Sequence, residues 1–261
     1  MALNENIIDR EFYLEAAKGN IPEHSIVHKF GKNSSVGTNF VAITNGGIYN
    51  TPQVSGATTL RIKAGNANDT ALGSGAREIT IIGIDETGAE QTEILATAGA
   101  VASASTTVTF IRLLKAFVSG SGTYATQIAG SHVGDIVIEN GAGGTDWGVI
   151  RSTGFPASET EIGAYTIPDG YTGYFLSGYG FSDSSKTTEL MFFMRQGILD
   201  TAAPYQAMRV LFEEYVQGGG FTIEPKAPIL IGTACDVGFL AKVDVSTSEV
   251  EVDFEILLVK N

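Results

Sequence analysis

The chain has 261 residues, a formal net charge of −13 and 43% apolar residues. That apolar content argues against disorder, and no stretch approaches the roughly 20 apolar residues of a membrane helix. The acidic balance is repelled by nucleic-acid phosphates, and the single cysteine, Cys235, excludes an internal disulfide.

Glycine supplies 32 of the 261 residues, and charged residues are only 17%. Averages are ~7% and ~25%. This composition suits many short strands joined by tight turns. A weakly charged surface also suits a chain that meets protein over much of its exterior. The start, MALNENIIDREF, places charged and amide residues where a secretion signal needs an apolar run, so no signal peptide is expected. The sequons at Asn33 and Asn68 are then chance matches.

In chain order, residues 5–18 are the best helix candidate. Ile7, Ile8, Tyr13, Leu14 and Ala17 can share a stripe, and Gly19 is a plausible stop; an extended arm is the alternative. Residues 31–58 are polar, Gly-rich and without period, and are read as a loop or arm. Strands begin at TTLRIKAG (58–65). REITIIGID and QTEILATAG, joined by ETGAE, read as a hairpin with Ile79–Ile84 against Thr92–Ala96. A longer run, TTVTFIRLLKAFVSG, follows, then the short strand GDIVIENG. Residues 139–160 are read as a bridging loop with a short strand at Trp147–Ile150.

A second strand set opens near Ala164. Pro168-Asp169-Gly170 is a turn in which proline presets φ and glycine accepts a positive one. The run TTELMFFMRQGI is apolar enough for burial on both faces. YQAMRVLFEEYVQGG has helical propensity but strand neighbours, and is read as a strand. At the end, Val250, Val252, Phe254 and Ile256 alternate with Glu249, Glu251, Asp253 and Glu255. Strands recurring every 8–15 residues predict an all-β chain, an antiparallel sandwich or jelly roll with an extended or short-helical N-terminal arm. The expected division is an arm (1–57), a first β domain (58–160) and a C-terminal β-sandwich domain (161–261).

No residue set carries recognisable chemistry. His24 and His28 have the i, i+4 spacing of a helical zinc pair but lack the glutamate of that motif and follow a proline, so they read as surface or interface histidines. Gly-Ala-Gly-Gly at 141–144 lacks the lysine and helix of a phosphate loop. Glu213 and Glu214 point to opposite faces of a strand and cannot pair as catalytic carboxylates. No catalytic residue, metal ligand or cofactor is expected. Cys235 reads as a small buried hydrophobe. The tyrosines at 165, 171, 174 and 179 divide between two readings: packing of sheet or subunit interface, and a ligand platform. Trp147, in a Gly-rich loop, is expected to anchor that loop at an interface.

Two segments, FYLEAAKGNIPEHSIVHKFGKN (12–33) and AYTIPDGYTGYFLSGYG (164–180), followed by FTIEPKAPILIGTACDVGFLAKV (221–243), together resemble a family of tailed-bacteriophage virion structural proteins. Ile26, Lys29, Phe30, Gly31 and Asn33 carry the first match. Tyr165, Ile167, Pro168, Gly170, Tyr171, Thr172, Gly173 and Tyr174 carry the second. The resemblance implies a non-enzymatic particle component. Within it, a capsid decoration (cement) protein on the outer head shell is favoured over a head or tail fibre, since the chain is small, acidic and without a repetitive shaft. The implied partners are further copies of the chain, as a homotrimer, and a major capsid protein, without nucleic acid or membrane. Production in the host cytoplasm is implied with it. A host-surface glycan is the alternative partner. Phe30, Trp147, Tyr171, Tyr174 and Tyr179 are the candidate interface or ligand residues.

Overall fold

The computed structural model describes residues 11–44, 56–124, 126, 131–152 and 158–261. A short helix α1 (Phe12–Ala17) precedes strands β1 (His24–Val36), β2 (Val41–Ala42), β3 (Thr58–Ala64), β4 (Ala76–Asp85), β5 (Glu90–Ala96), β6 (Thr109–Ser121), β7 (Ile136–Asn140) and β8 (Asp146–Ile150). Strands β9 (Ala164–Ile167), β10 (Tyr171–Arg195), β11 (Arg209–Ile223), β12 (Ile229–Ile231), β13 (Cys235–Val243) and β14 (Ser248–Lys260) complete the chain. Every pairing among them is antiparallel. The all-β antiparallel class expected from the sequence is the observed one.

The strands form two sheets. The smaller has six strands in the order β5-β4-β6-β3-β7-β8. The larger has eight, with the path β1-β14-β10-β13-β2 and with β11 and β12 on β10 and β9 on β13. Alternation sets which side chains go inward. On β14, Val250, Val252, Phe254 and Ile256 are buried, while Glu249, Glu251, Asp253 and Glu255 face away from the core. With Phe175, Phe192 and Phe239 they make an aromatic centre in which the Phe175 and Phe192 rings lie 4.6 Å apart and Phe192 and Phe239 4.8 Å apart. Ile84, Ile111 and Leu114 of the smaller sheet enter this same core. A second core, including Leu60, Ile79, Ile81, Phe110, Ile138 and Trp147, belongs mainly to the smaller sheet.

The expected hairpin has the expected register, with Ile79 opposite Leu95 and Ile82 opposite Thr92. At the Pro168–Gly170 turn, Gly170 takes φ +78° and the Tyr171 N–H donates to the Pro168 carbonyl over 3.2 Å. The segment around Arg209 is a strand, as its neighbours suggested.

Residues 31–58 depart from the expected loop. Residues 31–36 finish β1, which pairs along its length with β14, and Val41–Ala42 pairs with β13; residues 45–55 lie outside the described residues. The reason is visible at Gly31. A Cβ there would stand 2.1 Å from the Gly163 backbone nitrogen and 2.6 Å from the Ile43 carbonyl oxygen. The glycine that made the segment look like a loop lets three backbones meet. The helix expected over 5–18 is the short α1, and residues 5–10 of that expectation lie outside the described residues.

The sheets are joined by a buried ion pair. Arg112 on β6 and Asp236 on β13 are both fully buried; Arg112 Nε donates to the two carboxylate oxygens over 2.9 and 3.1 Å, and Nη2 to Oδ2 over 3.1 Å. Arg195 Nη2 (2.7 Å) and the Thr166 hydroxyl (2.8 Å) complete the shell of Asp236. Removing one member strands the others in a dry site. Asp236→Ala is therefore expected to lower unfolding free energy by roughly 3–5 kcal/mol, whereas Arg112→Met/Asp236→Leu recovers most of it; urea titrations of the three proteins test this.

Candidate functional site

The feature that best fits a site is the face of the larger sheet turned away from the core. Register defines it. Ile26, Leu257, Tyr174 and Leu230 stand side by side across β1, β14, β10 and β12. Two rows along, Phe30, Asp253 and Tyr179 do the same. Between them lie His28, Glu255 and Ser177, and beyond them Lys32, Glu251 and Phe181. At the near end, α1 leans on β1 through an edge-to-face contact of Phe12 with His24 at 5.7 Å. Its Phe12, Tyr13 and Leu14 are all exposed, as are Tyr179 and Leu230.

Strict alternation would send Tyr174 and Tyr179, five residues apart, to opposite faces. A bulge between Phe175 and Ser177 inserts one extra residue and puts both on the outer face. The face is mixed in character. Lys32 Nζ bridges Glu249 (2.8 Å) and Glu251 (2.6 Å). Asp253, between Phe30 and Tyr179 in their row, has its carboxyl pushed up by burial, against the pull of His28.

The five residues singled out from sequence divide. Phe30, Tyr174 and Tyr179 share the outer face. Tyr171 is half-buried against the main core, and Tyr165 is buried, so the tyrosine cluster is not one surface. Trp147 corrects the expectation of a loop anchor. It lies on β8 at 1% exposure, packed in the second core: the short strand expected at Trp147–Ile150 forms, and its pairing with β7 turns the indole inward instead of to an interface. His24 and His28 sit on a strand, and among the described residues no cluster of His, Cys, Asp and Glu is arranged to hold a metal. Glu213 and Glu214 are successive residues of β11 and face opposite ways. Cys235 is fully buried, and burial pushes its thiol up to about 12.

A charged residue of β1 also points inward, beside the outer face. Lys29, adjacent to Phe30, points inward and is 7% exposed; its Nζ donates to the Leu114 carbonyl of β6 over 2.5 Å. Burial above all, with Lys115 adding to it and Glu159 and Glu90 opposing, lowers its pKa from about 10.5 to about 7. Glu90 nearby is shifted up, first by burial, with Tyr165 and Lys29 opposing. Alternation with Phe30 and Gly31 was the available signal.

The chain matches no protein-family model and no curated protein. Among solved structures it is similar to a chain of infectious bursal disease virus, Gx strain, at 10% identity and a TM-score of 0.29, over 91% of this chain and 73% of that one. A chain of the T13 particle of the same virus gives 9% identity and a TM-score of 0.22, over 92% and 75%. At these scores the likeness carries no weight for function. Among the described residues no helix is long and apolar enough to cross a membrane.

The shift on Lys29 sets a pH dependence. Between about 7 and 10.5 the unfolded chain holds a proton that the folded chain has released, so folding is favoured as pH rises through that window, and the lysine costs most below it. Lys29→Met removes this dependence. The stability of the variant relative to the parent is expected to be highest near pH 6 and to shrink by a few kcal/mol by pH 10, measured as the difference in urea midpoints.

Proposed function

We propose that this chain is a non-enzymatic structural protein of a virus particle, and within that class a decoration protein of a tailed-phage head. One observation carries the reading. An acidic chain with few charged residues presents a sheet face on which apolar and aromatic side chains, Ile26, Tyr174, Leu230, Phe30 and Tyr179, line up across four strands beside exposed Phe12, Tyr13 and Leu14. Rows of partly exposed apolar and aromatic side chains interleaved with polar ones are of the kind that protein contacts use. The sequence resemblance to phage virion proteins supports the same class, and Phe30, Tyr174 and the α1 aromatics fall inside the segments that carry it. In this proposal the chain assembles as a homotrimer, sits on the outer shell and gains avidity by repeated contacts with a major capsid protein. The division into arm, first β domain and C-terminal domain is part of the proposal, with β1 counted in the sheet that it pairs with.

Antibody against the chain, viewed on intact particles by electron microscopy, is expected to label the whole head. Label confined to tail or collar rejects decoration. The purified chain is expected to sediment as a trimer and to bind shells that lack it; a monomer without affinity for shells rejects the structural role.

A second reading, a fibre-type protein holding host glycan, is favoured by the Phe30–Asp253–Tyr179 row, since rings beside a carboxylate suit sugar faces and hydroxyls. On a glycan array it predicts binding that Tyr179→Ala reduces about tenfold, the loss of one good stacking contact. An array without signal from the folded oligomer removes it.

A further inference from the structure

A second surface lies on the opposite, core-facing side of the larger sheet, where β11 and β12 run past the main core. Leu211, Phe212, Phe221 and Ile229 line a groove of about 460 Å³ there. Phe212 and Phe221 are only half-buried, although their rings are stacked 6.5 Å apart at 19°. Among the described residues β11 pairs on one side only, with β10, so its other edge offers free N–H and C=O groups beside the groove. A bulge near Leu211 and the glycines at 218–220 break up the two ends of that edge, leaving 212–217 as regular strand.

The charges of the groove have one sign. Glu214 lies on the same face as Phe212, and Glu224 stands at the far end; no lysine or arginine lines it. On the other face of the same edge, Glu213 accepts a hydrogen bond from Tyr215, which pushes that phenol up to about 12. Two copies of this edge paired to each other would bring Glu213 and Glu214 of both onto one short ribbon, in a chain already at −13. That disfavours a second copy. It favours an extended segment with the opposite charge, whose backbone adds to the edge while alternate side chains enter the groove.

We propose that the β11 groove seats an extended segment of another protein whose groove-facing residues, every second one, include both aliphatic residues and lysine or arginine. The apolar members would cover Phe212, Phe221 and Ile229, and the cations would meet Glu214 and Glu224. The proposal concerns the groove alone and stands independently of the virion reading.

The probe is a fluorescein-labelled lysine–valine peptide of repeating Val-Thr-Lys-Thr, which places valine and lysine on one face of the strand, titrated with the full chain and followed by anisotropy. Two further peptides have glutamate in place of lysine, or serine in place of valine. Saturable binding of the first alone is expected, with at least about a tenfold loss in Glu214→Gln/Glu224→Gln, whose fold is checked by near-UV circular dichroism. Glu86→Gln/Asp244→Asn, which removes two exposed charges elsewhere, is expected to bind as the parent does. Equal loss in both variants, or equal binding of the serine peptide, means general attraction to an acidic surface and overturns the proposal. No binding at millimolar peptide overturns it too. So does self-association in sedimentation that Glu214→Gln/Glu224→Gln strengthens and the lysine–valine peptide fails to compete with, since the occupant is then a second copy.

Discussion

The contact on which the arrangement of the two sheets depends is the fully buried pair of Arg112 and Asp236. An apolar seam between sheets tolerates sliding, because dispersion and burial have little directional preference. A guanidinium that must reach both oxygens of one carboxylate does not. Asp236 also takes Arg195 and Thr166, so the strands β6, β9, β10 and β13 are held to one another at a single carboxylate. Such a site adds little net stability over an apolar one of the same shape; its contribution is to penalise every register in which a buried charge loses a partner.

The same logic applies at β1. Gly31, Gly163 and Gly238 allow backbones to approach where any side chain would collide; a Cβ on Gly238 would stand 2.7 Å from the Ala164 Cα. Next to this contact, Lys29 carries an amine into the interior and spends it on the carbonyl of Leu114. Close backbone packing draws β1 in, and the lysine ties it to the smaller sheet. A segment that reads as a surface arm is thereby part of the body of the protein.

What the sequence made legible was local. The alternation of β14, the Ile79–Ile84 hairpin and the Pro168–Gly170 turn each depend on residues within a few positions of one another, and each was readable. The outer face was not. Tyr174 and Tyr179 share it only because of an inserted residue near Leu176, and Phe30 joins them only through the register of β1 on β14 and β14 on β10. Trp147 failed for the opposite reason. Its Gly-rich flanks signalled a turn, correctly, but the two strands on either side of that turn bury what lies beside it. Glycine has three uses in this chain, at turns, at close approaches and at the free end of β11, and composition does not distinguish them.

The two surfaces trace back to one strand. β10 runs from Tyr171 to Arg195 and exchanges partners along the way, pairing with β14 up to Ser182 and with β13 from Thr188. The exchange leaves backbone and hydroxyl groups inside, and they satisfy one another: the Ser182 and Thr188 hydroxyls lie 2.7 Å apart, with Ser248 beside them at 3.3 Å. Strands flank β10 on both sides along its length, and among the described residues β11 finds no further partner beyond it. One end of the sheet turns its aromatic outer face to solvent, and β11 on its other edge overhangs with Phe212 and Phe221 half-covered. Glu213 and Glu214 and the bulge near Leu211 guard that edge against pairing with a like copy, while the groove beside it stays apolar.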